Sequence, residues 1–67
     1  MVIFINNKEY EFHDSETINN ILSKLEITQQ KGIAIAVNNN IIYKKDWDVF
    51  KLNNNDKVTI IKASQGG

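Results

Sequence analysis

The fold is decided at the start of the chain, where residues 2–12 read VIFINNKEYEF. Residues 2–5 are a β-branched and aromatic run, which is typical of a strand. The next two residues, Asn6-Asn7, tolerate the positive φ angles of a tight hairpin turn. Apolar and polar residues then alternate over residues 10–12, as expected for a half-buried second strand. This stretch therefore predicts a β-hairpin.

One amphipathic helix is predicted after the hairpin. Its apolar residues recur at i, i+3, i+4 and i+7, which places them on one stripe of a helix of about ten residues. Thr17 is the predicted N-cap, with its hydroxyl accepting a hydrogen bond from the backbone N–H of Asn20. We expect this helix to cover one side of a sheet. The stripe consists of Ile18, Ile21, Leu22 and Leu25.

Three more strands are predicted in the second half of the chain. Residues 33–37 alternate large and small apolar side chains, residues 41–43 form a short strand after an Asn-rich turn, and residues 58–61 form the last strand. Residues 44–50 carry Trp47, which we expect in a single-turn segment at the edge of the core. The order of elements indicates an α+β roll, a mixed sheet of four to five strands with one helix on one face. Its first and last strands should be adjacent and parallel.

The composition bounds the class of protein. The chain has 67 residues, eight Lys, no Arg and eight acidic residues, so its formal net charge is zero. Nucleic acids and anionic membranes require a basic face, which this balance does not favour. There is no Cys, and His13 is the only His, so no metal site is expected. We find no apolar run of about 20 residues and no signal-peptide pattern, so we expect a cytoplasmic protein.

The last five residues, 63–67, read ASQGG and cannot pack on a core. We therefore divide the chain into a domain at 1–62 and a flexible tail at 63–67. At an average Gly usage of about 7%, two terminal glycines arise by chance roughly once in 200 chains. Glycines let the backbone pass through a narrow cleft, and the ionised carboxylate of Gly67 is able to attack the α-phosphate of ATP. From the tail alone, a frayed terminus or a cloning scar is the more frequent explanation of such an ending.

The whole chain resembles the ThiS family of sulfur-carrier proteins. Only the terminal Gly-Gly is chemically specific, and the other matches are signatures of the fold. The sequence departs from the family at Asn55, where Gly is usual, and at Tyr43, where Pro is common. Asn tolerates left-handed backbone, so the turn at residue 55 should survive. The matching stretches are Thr17-Ile18 leading into Leu22, Ala36-Val37-Asn38, Trp47 after Ile41-Ile42, Asp56-Lys57-Val58, and Gly66-Gly67.

The resemblance implies a ubiquitin-like β-grasp fold and a cycle of sulfur transfer. A ThiF-like adenylating enzyme would use ATP to adenylate the Gly67 carboxylate, and a persulfide donor would displace AMP. The thiocarboxylate would then give its sulfur to a ThiG-like thiazole synthase, with Gln65 and Gly66 carrying the terminus into the partner's site. The carrier would be a substrate and not an enzyme, would bind no cofactor or metal itself, and would be monomeric when free.

A docking surface is also predicted from strand alternation. If Ile3, Ile5, Val58 and Ile60 point toward the helix, the intervening residues point to the opposite face of the sheet. Phe4 and Ile61, with Ala34 or Ala36, would then form an exposed apolar patch near the tail. Such patches on small monomers often mark a partner surface, although scattered apolar surface residues are equally common.

Three other functions remain open from the sequence. The first is the small subunit of molybdopterin synthase, although those chains usually carry extra residues that 28–32 leave no room for. The second is a ubiquitin-like modifier, whose terminus would form an isopeptide bond with a lysine. The third is an interaction module in which the terminal Gly-Gly is incidental. Deleting Gly66 and Gly67 separates the last from the others, because only the module would keep its function.

Overall fold

The computed structural model describes residues 1–13, 16–27 and 31–62. Five strands form one sheet in the order β2-β1-β5-β3-β4, and one helix packs on one face of it. The predicted α+β roll is therefore confirmed, with all five strands in a single mixed sheet. The elements are β1 Val2–Ile5, β2 Lys8–Glu11, α1 Ile18–Lys24, β3 Ile33–Val37, β4 Asn40–Ile42, a 3₁₀ helix Lys44–Asp46 and β5 Lys57–Lys62.

The predicted hairpin and the predicted parallel pair are both present. Asn6 and Asn7 have φ angles of 51° and 69°, and Ile5 faces Lys8 across the two-residue turn. Positive φ at both turn residues suits the right-handed twist of a hairpin. β1 also pairs in parallel with β5, where Ile5 lies beside Val58. Two short predicted strands differ at their ends, because β2 begins before residue 10 and β4 ends before residue 43.

The helix begins as predicted but ends earlier. The Thr17 hydroxyl accepts a hydrogen bond from the backbone N–H of Asn20 at 3.2 Å. The helix then has seven residues and not about ten. Glu26 has a φ of 61° and donates its N–H to Ser23, while Ile27 donates to Leu22. This pair of bonds around a left-handed residue is a Schellman motif, which ends a helix whatever the apolar periodicity beyond it.

Trp47 lies in the core and not at its edge, which corrects the sequence-based expectation. Its side chain is 1% exposed, and its indole N–H donates to the carbonyl of Ile42 at 2.9 Å. The 3₁₀ helix before it turns the chain back, and the Trp47 carbonyl accepts the N–H of Asn19 at 3.1 Å, which places the residue beside the first turn of the helix. The other buried apolar residues are Ile3, Ile5, Phe12, Ile18, Ile21, Leu22, Ile35, Ala36, Val37, Leu52 and Val58.

Asparagines hold the tight turns in the second half of the chain. Asn38 and Asn39 have φ angles of 50° and 72° between β3 and β4. Asn55 has a φ of 71°, so the residue that stands where Gly is usual adopts the left-handed conformation. Asn reaches that region more readily than other residues with a Cβ, because its short amide bonds locally. The expectation that this turn survives is confirmed.

Candidate functional site

The end of β5, from which residues 63–67 continue, is held on both sides. On one side β3 pairs with β5 as far as the end of the strand, with Ile33 opposite Lys62. On the other side the Asn6 side chain takes over where β1 stops. Its Oδ1 accepts the N–H of Ile60 at 2.8 Å, and its Nδ2 donates to the Ile60 carbonyl at 3.4 Å. The side-chain amide of Asn6 therefore takes the place of a neighbouring strand beside Ile60, near the end of β5.

We call the two hydrogen bonds between the Asn6 side chain and the Ile60 backbone the clamp. The sequence did not predict this role of Asn6. The sequence indicated a turn residue, and Asn6 is one. Its second role joins residues 54 apart, and hydrogen bonds over that separation leave no periodic signal in the sequence. The clamp holds Ile60, two residues before Lys62, which is the last described residue of β5. The predicted tail residues Gln65, Gly66 and Gly67 lie outside the described residues.

The face of the sheet opposite the helix carries an apolar surface, as strand alternation predicts. Ile61 is 49% exposed and Phe4 is half-buried. Ala34 pairs with Ile61 and is exposed, whereas Ala36 is buried. The predicted orientation of Phe4 and Ile61 is thus confirmed, although contact with a partner stays a prediction.

Ile41 adds to this surface and was missing from the sequence-based prediction. It faces Ala36 across β3 and β4, on the same side of the sheet as Ile61, and is 54% exposed. The signal was present in the alternation of β4, where Ile42 pairs with buried Ile35 and points inward. We call Phe4, Ala34, Ile41 and Ile61 the sheet patch, in which Phe4 lies opposite Lys57 and Thr59 separates it from Ile61 along the outer face of β5.

Two opposite charges lie beside the sheet patch at Phe4. Glu9 faces Phe4 from β2, and Lys57 faces it from β5. All three residues occupy register positions on the same side of the sheet, because opposed residues in neighbouring strands share a face. The patch therefore has a mixed polar edge, which resembles a protein interface more than a nucleic-acid surface.

Metal-binding clusters and membrane-spanning helices are both absent from the described residues. Within residues 1–13, 16–27 and 31–62, no group of three or more His, Cys, Asp or Glu side chains is placed to bind a metal ion. His13 is exposed, and the buried acid Glu16 forms an ion pair with Lys24 at 2.5 Å. In the same part of the chain, no helix has the length and apolar character needed to cross a membrane.

Comparison with known proteins places the chain in a family. The model of the ThiS family matches residues 3–67, which include the terminal Gly66-Gly67. The uncharacterized protein ycf40 of Trieres chinensis is 30% identical over 64 residues, covering 96% of this chain and 86% of that protein.

Two solved structures of a thiamine biosynthesis protein from Geobacter metallireducens share the fold. The crystal structure of that protein, ThiS, superposes with a TM-score of 0.86 at 20% identity, with both chains covered completely. The solution structure gives a TM-score of 0.79 at 20% identity, covering all of this chain and 88% of the other. The resemblance to this family and the β-grasp fold are both confirmed. The chain belongs to the ThiS family of small, ubiquitin-like sulfur carriers.

Proposed function

We propose that the chain carries sulfur on the C-terminal carboxylate of Gly67 for the thiazole ring of thiamine. The observation that carries the proposal is the match of the family model through the terminal Gly66-Gly67. The relatives of similar fold are named for thiamine biosynthesis. A clamped end of β5 supports the same role, because it gives the terminal segment a defined starting point for entry into a partner's site.

The reaction begins at the terminal carboxylate. An oxygen of the Gly67 carboxylate attacks the α-phosphate of ATP, and pyrophosphate leaves. The acyl-adenylate is an activated electrophile, whereas the free carboxylate is not. Glycine at the last two positions suits this step, because the absence of a Cβ lets the backbone approach a bound nucleotide closely.

Sulfur enters in the second stage. The terminal sulfur of a partner's persulfide attacks the acyl carbon, and AMP leaves. A second thiol of the partner then cleaves the acyl disulfide, so that a thiocarboxylate remains on Gly67 and a disulfide forms on the partner. A thiazole synthase takes the sulfur from this thiocarboxylate. ATP and the reacting thiols belong to the partners, and this chain contains no Cys.

The sheet patch is the proposed contact with the adenylating enzyme. It lies on the face of the sheet that the helix leaves open, and Ile61 is one residue from the end of β5. An adenylating enzyme that binds this face would have residues 63–67 of the carrier close to the surface that contacts the sheet patch. Holding a reacting group in place in this way lowers the entropic part of the barrier.

The intact mass of the full chain tests the proposed function. The protein is incubated with ATP, a sulfur source and an adenylating enzyme from the same organism. We expect a mass gain equal to the replacement of one oxygen by sulfur. The gain should disappear when Gly67 is deleted and persist in the control Ser64→Ala. No gain with an enzyme that converts another ThiS-family carrier would contradict the proposal.

A further inference from the structure

A groove lies on the helix side of the sheet, at the end where β5 finishes. The Schellman motif ends the helix at Lys24, while β5 continues to Lys62, so the helix does not cover this end of the sheet. The space left is about 580 Å³. We call it the tail-end groove, with a floor of Ile5, Leu25, Ile27 and Ile60 and a rim that includes Lys8 and Lys62.

The floor of the tail-end groove is apolar and only partly covered. Ile5 is buried, whereas Leu25, Ile27 and Ile60 are half-buried. These residues pack against the core on one side and face the groove on the other. An apolar side chain of moderate size inserted here would therefore bury surface that is now partly exposed, which is favourable.

The rim of the groove is positive. Lys8 and Lys62 line it, and no acidic residue does so among the described residues. Neither lysine forms an ion pair within the described part of the chain. Lys8 instead lies 5.7 Å from the ring centroid of Tyr10, which also lines the groove. The chain as a whole is neutral. The positive charge of the rim therefore comes from the fold, which brings Lys8 and Lys62 to the same groove.

We infer that the tail-end groove is a docking site for an acidic segment of a partner protein, with an apolar side chain on the floor and carboxylates beside Lys8 and Lys62. Charge complementarity carries the choice of occupant, because two lysines that form no ion pair with any described residue flank an apolar floor. The groove and the sheet patch lie on opposite sides of the sheet. One partner is therefore able to hold the groove while another occupies the patch, an arrangement suited to transfer between two proteins.

Binding to this groove is tested on the full, ¹⁵N-labelled chain. The probe is a capped hexapeptide in which two leucines are flanked on each side by two glutamates. We expect shifts in the amide resonances of Lys8, Tyr10, Ile60 and Lys62 on titration, and weaker binding at about 0.5 M salt because the charges are screened. The same peptide with glutamine in place of glutamate should bind at least about fivefold more weakly.

Charge reversal locates the site. The double variant Lys8→Glu/Lys62→Glu should bind the acidic peptide about tenfold more weakly, since two attractive contacts become repulsive. The milder Lys8→Gln/Lys62→Gln should lose about threefold and guards against failure to fold. The matched control Lys45→Glu/Lys51→Glu makes the same change of net charge away from the groove. Its affinity should stay within about twofold of the parent.

Three results would overturn the inference. The first is an absence of shifts at the groove with about 1 mM peptide, a concentration at which even weak specific contacts are populated. The second is equal binding of the glutamine peptide, which would remove the role of charge. The third is the same shifts with inorganic phosphate alone, which would indicate a simple anion site. None of these results bears on the mass gain at Gly67, so the two proposals fail separately.

Discussion

Ile35 in β3 and Ile41 in β4 are the same residue type in neighbouring strands, yet they meet opposite surroundings. Ile35 is 1% exposed beneath the helix, whereas Ile41 is 54% exposed on the other face of the sheet. The difference follows from the register, because Ile42, and not Ile41, lies opposite Ile35. A shift of one residue in β4 would exchange the two faces. The comparison teaches that one face of this sheet carries the core, whereas the other leaves large apolar side chains exposed.

The largest effect expected from this contrast is on stability. Ile35→Ala leaves a cavity in the core and should lower the free energy of unfolding by about 2–5 kcal/mol. Ile41→Ala is the matched control and should change it by less than about 1 kcal/mol, because its side chain is already half in solvent. Urea denaturation of both variants measures the difference. Equal losses would mean that the outer face also contributes to the core.

Adenylation by the partner enzyme should depend on the outer face of the sheet, where stability depends little on the side chain. Ile61→Glu places a charge in the sheet patch and should lower kcat/KM for adenylation at least about tenfold, as expected when a central apolar contact of an interface is lost. The control Val49→Glu introduces the same charge at a site that is 70% exposed and lies outside the sheet. It should leave kcat/KM within about twofold of the parent, since surface changes away from an interface have small effects. Similar losses in both variants would argue against the sheet patch.

The smallest effect is expected at the clamp, where the Asn6 side chain bonds to the backbone of Ile60 near the end of β5. Asn6→Gly keeps access to positive φ but removes the amide that bonds to Ile60. Stability should fall by about 1 kcal/mol, and the Ile60 amide should exchange faster with solvent. Asn7→Gly is the matched control, since Asn7 also has positive φ. Hydrogen exchange measures both, and unchanged protection of Ile60 in Asn6→Gly would contradict the role of the clamp.

Local features of this chain were predictable from the sequence because their causes are local. The turn at Asn6-Asn7 and the cap at Thr17 each depend on residues within a few positions of one another. The left-handed turn at Asn55 depends on one side chain that tolerates it. Alternation along β5 placed Ile61 on the outer face, since successive strand residues point to opposite sides.

Two other features were predicted incompletely, one for a local reason that the periodicity does not reveal and one because distant parts of the chain decide it. The apolar stripe continued to Leu25, but the Schellman motif at Glu26 ended the helix before it. Trp47 stood in a polar stretch, which indicated the edge of the core, yet the ring fills the core and bonds to Ile42. The hydrogen bonds at Glu26 and Ile27 determined the helix end, whereas packing against the core determined the position of Trp47.

The amino-acid sequence by itself determined the order of the strands and the helix, the faces of β1 and β5, and the terminal Gly66-Gly67 on which the proposed chemistry depends. These follow from side-chain periodicity, turn propensity and the absence of a Cβ, all of which act over short stretches of chain. Only the tertiary structure decided that Asn6 clamps Ile60, that Ile41 joins the sheet patch, and that Lys8 and Lys62 line one groove. Each of these depends on strand pairing between distant segments, and the free energy of that pairing comes from the packed core as a whole.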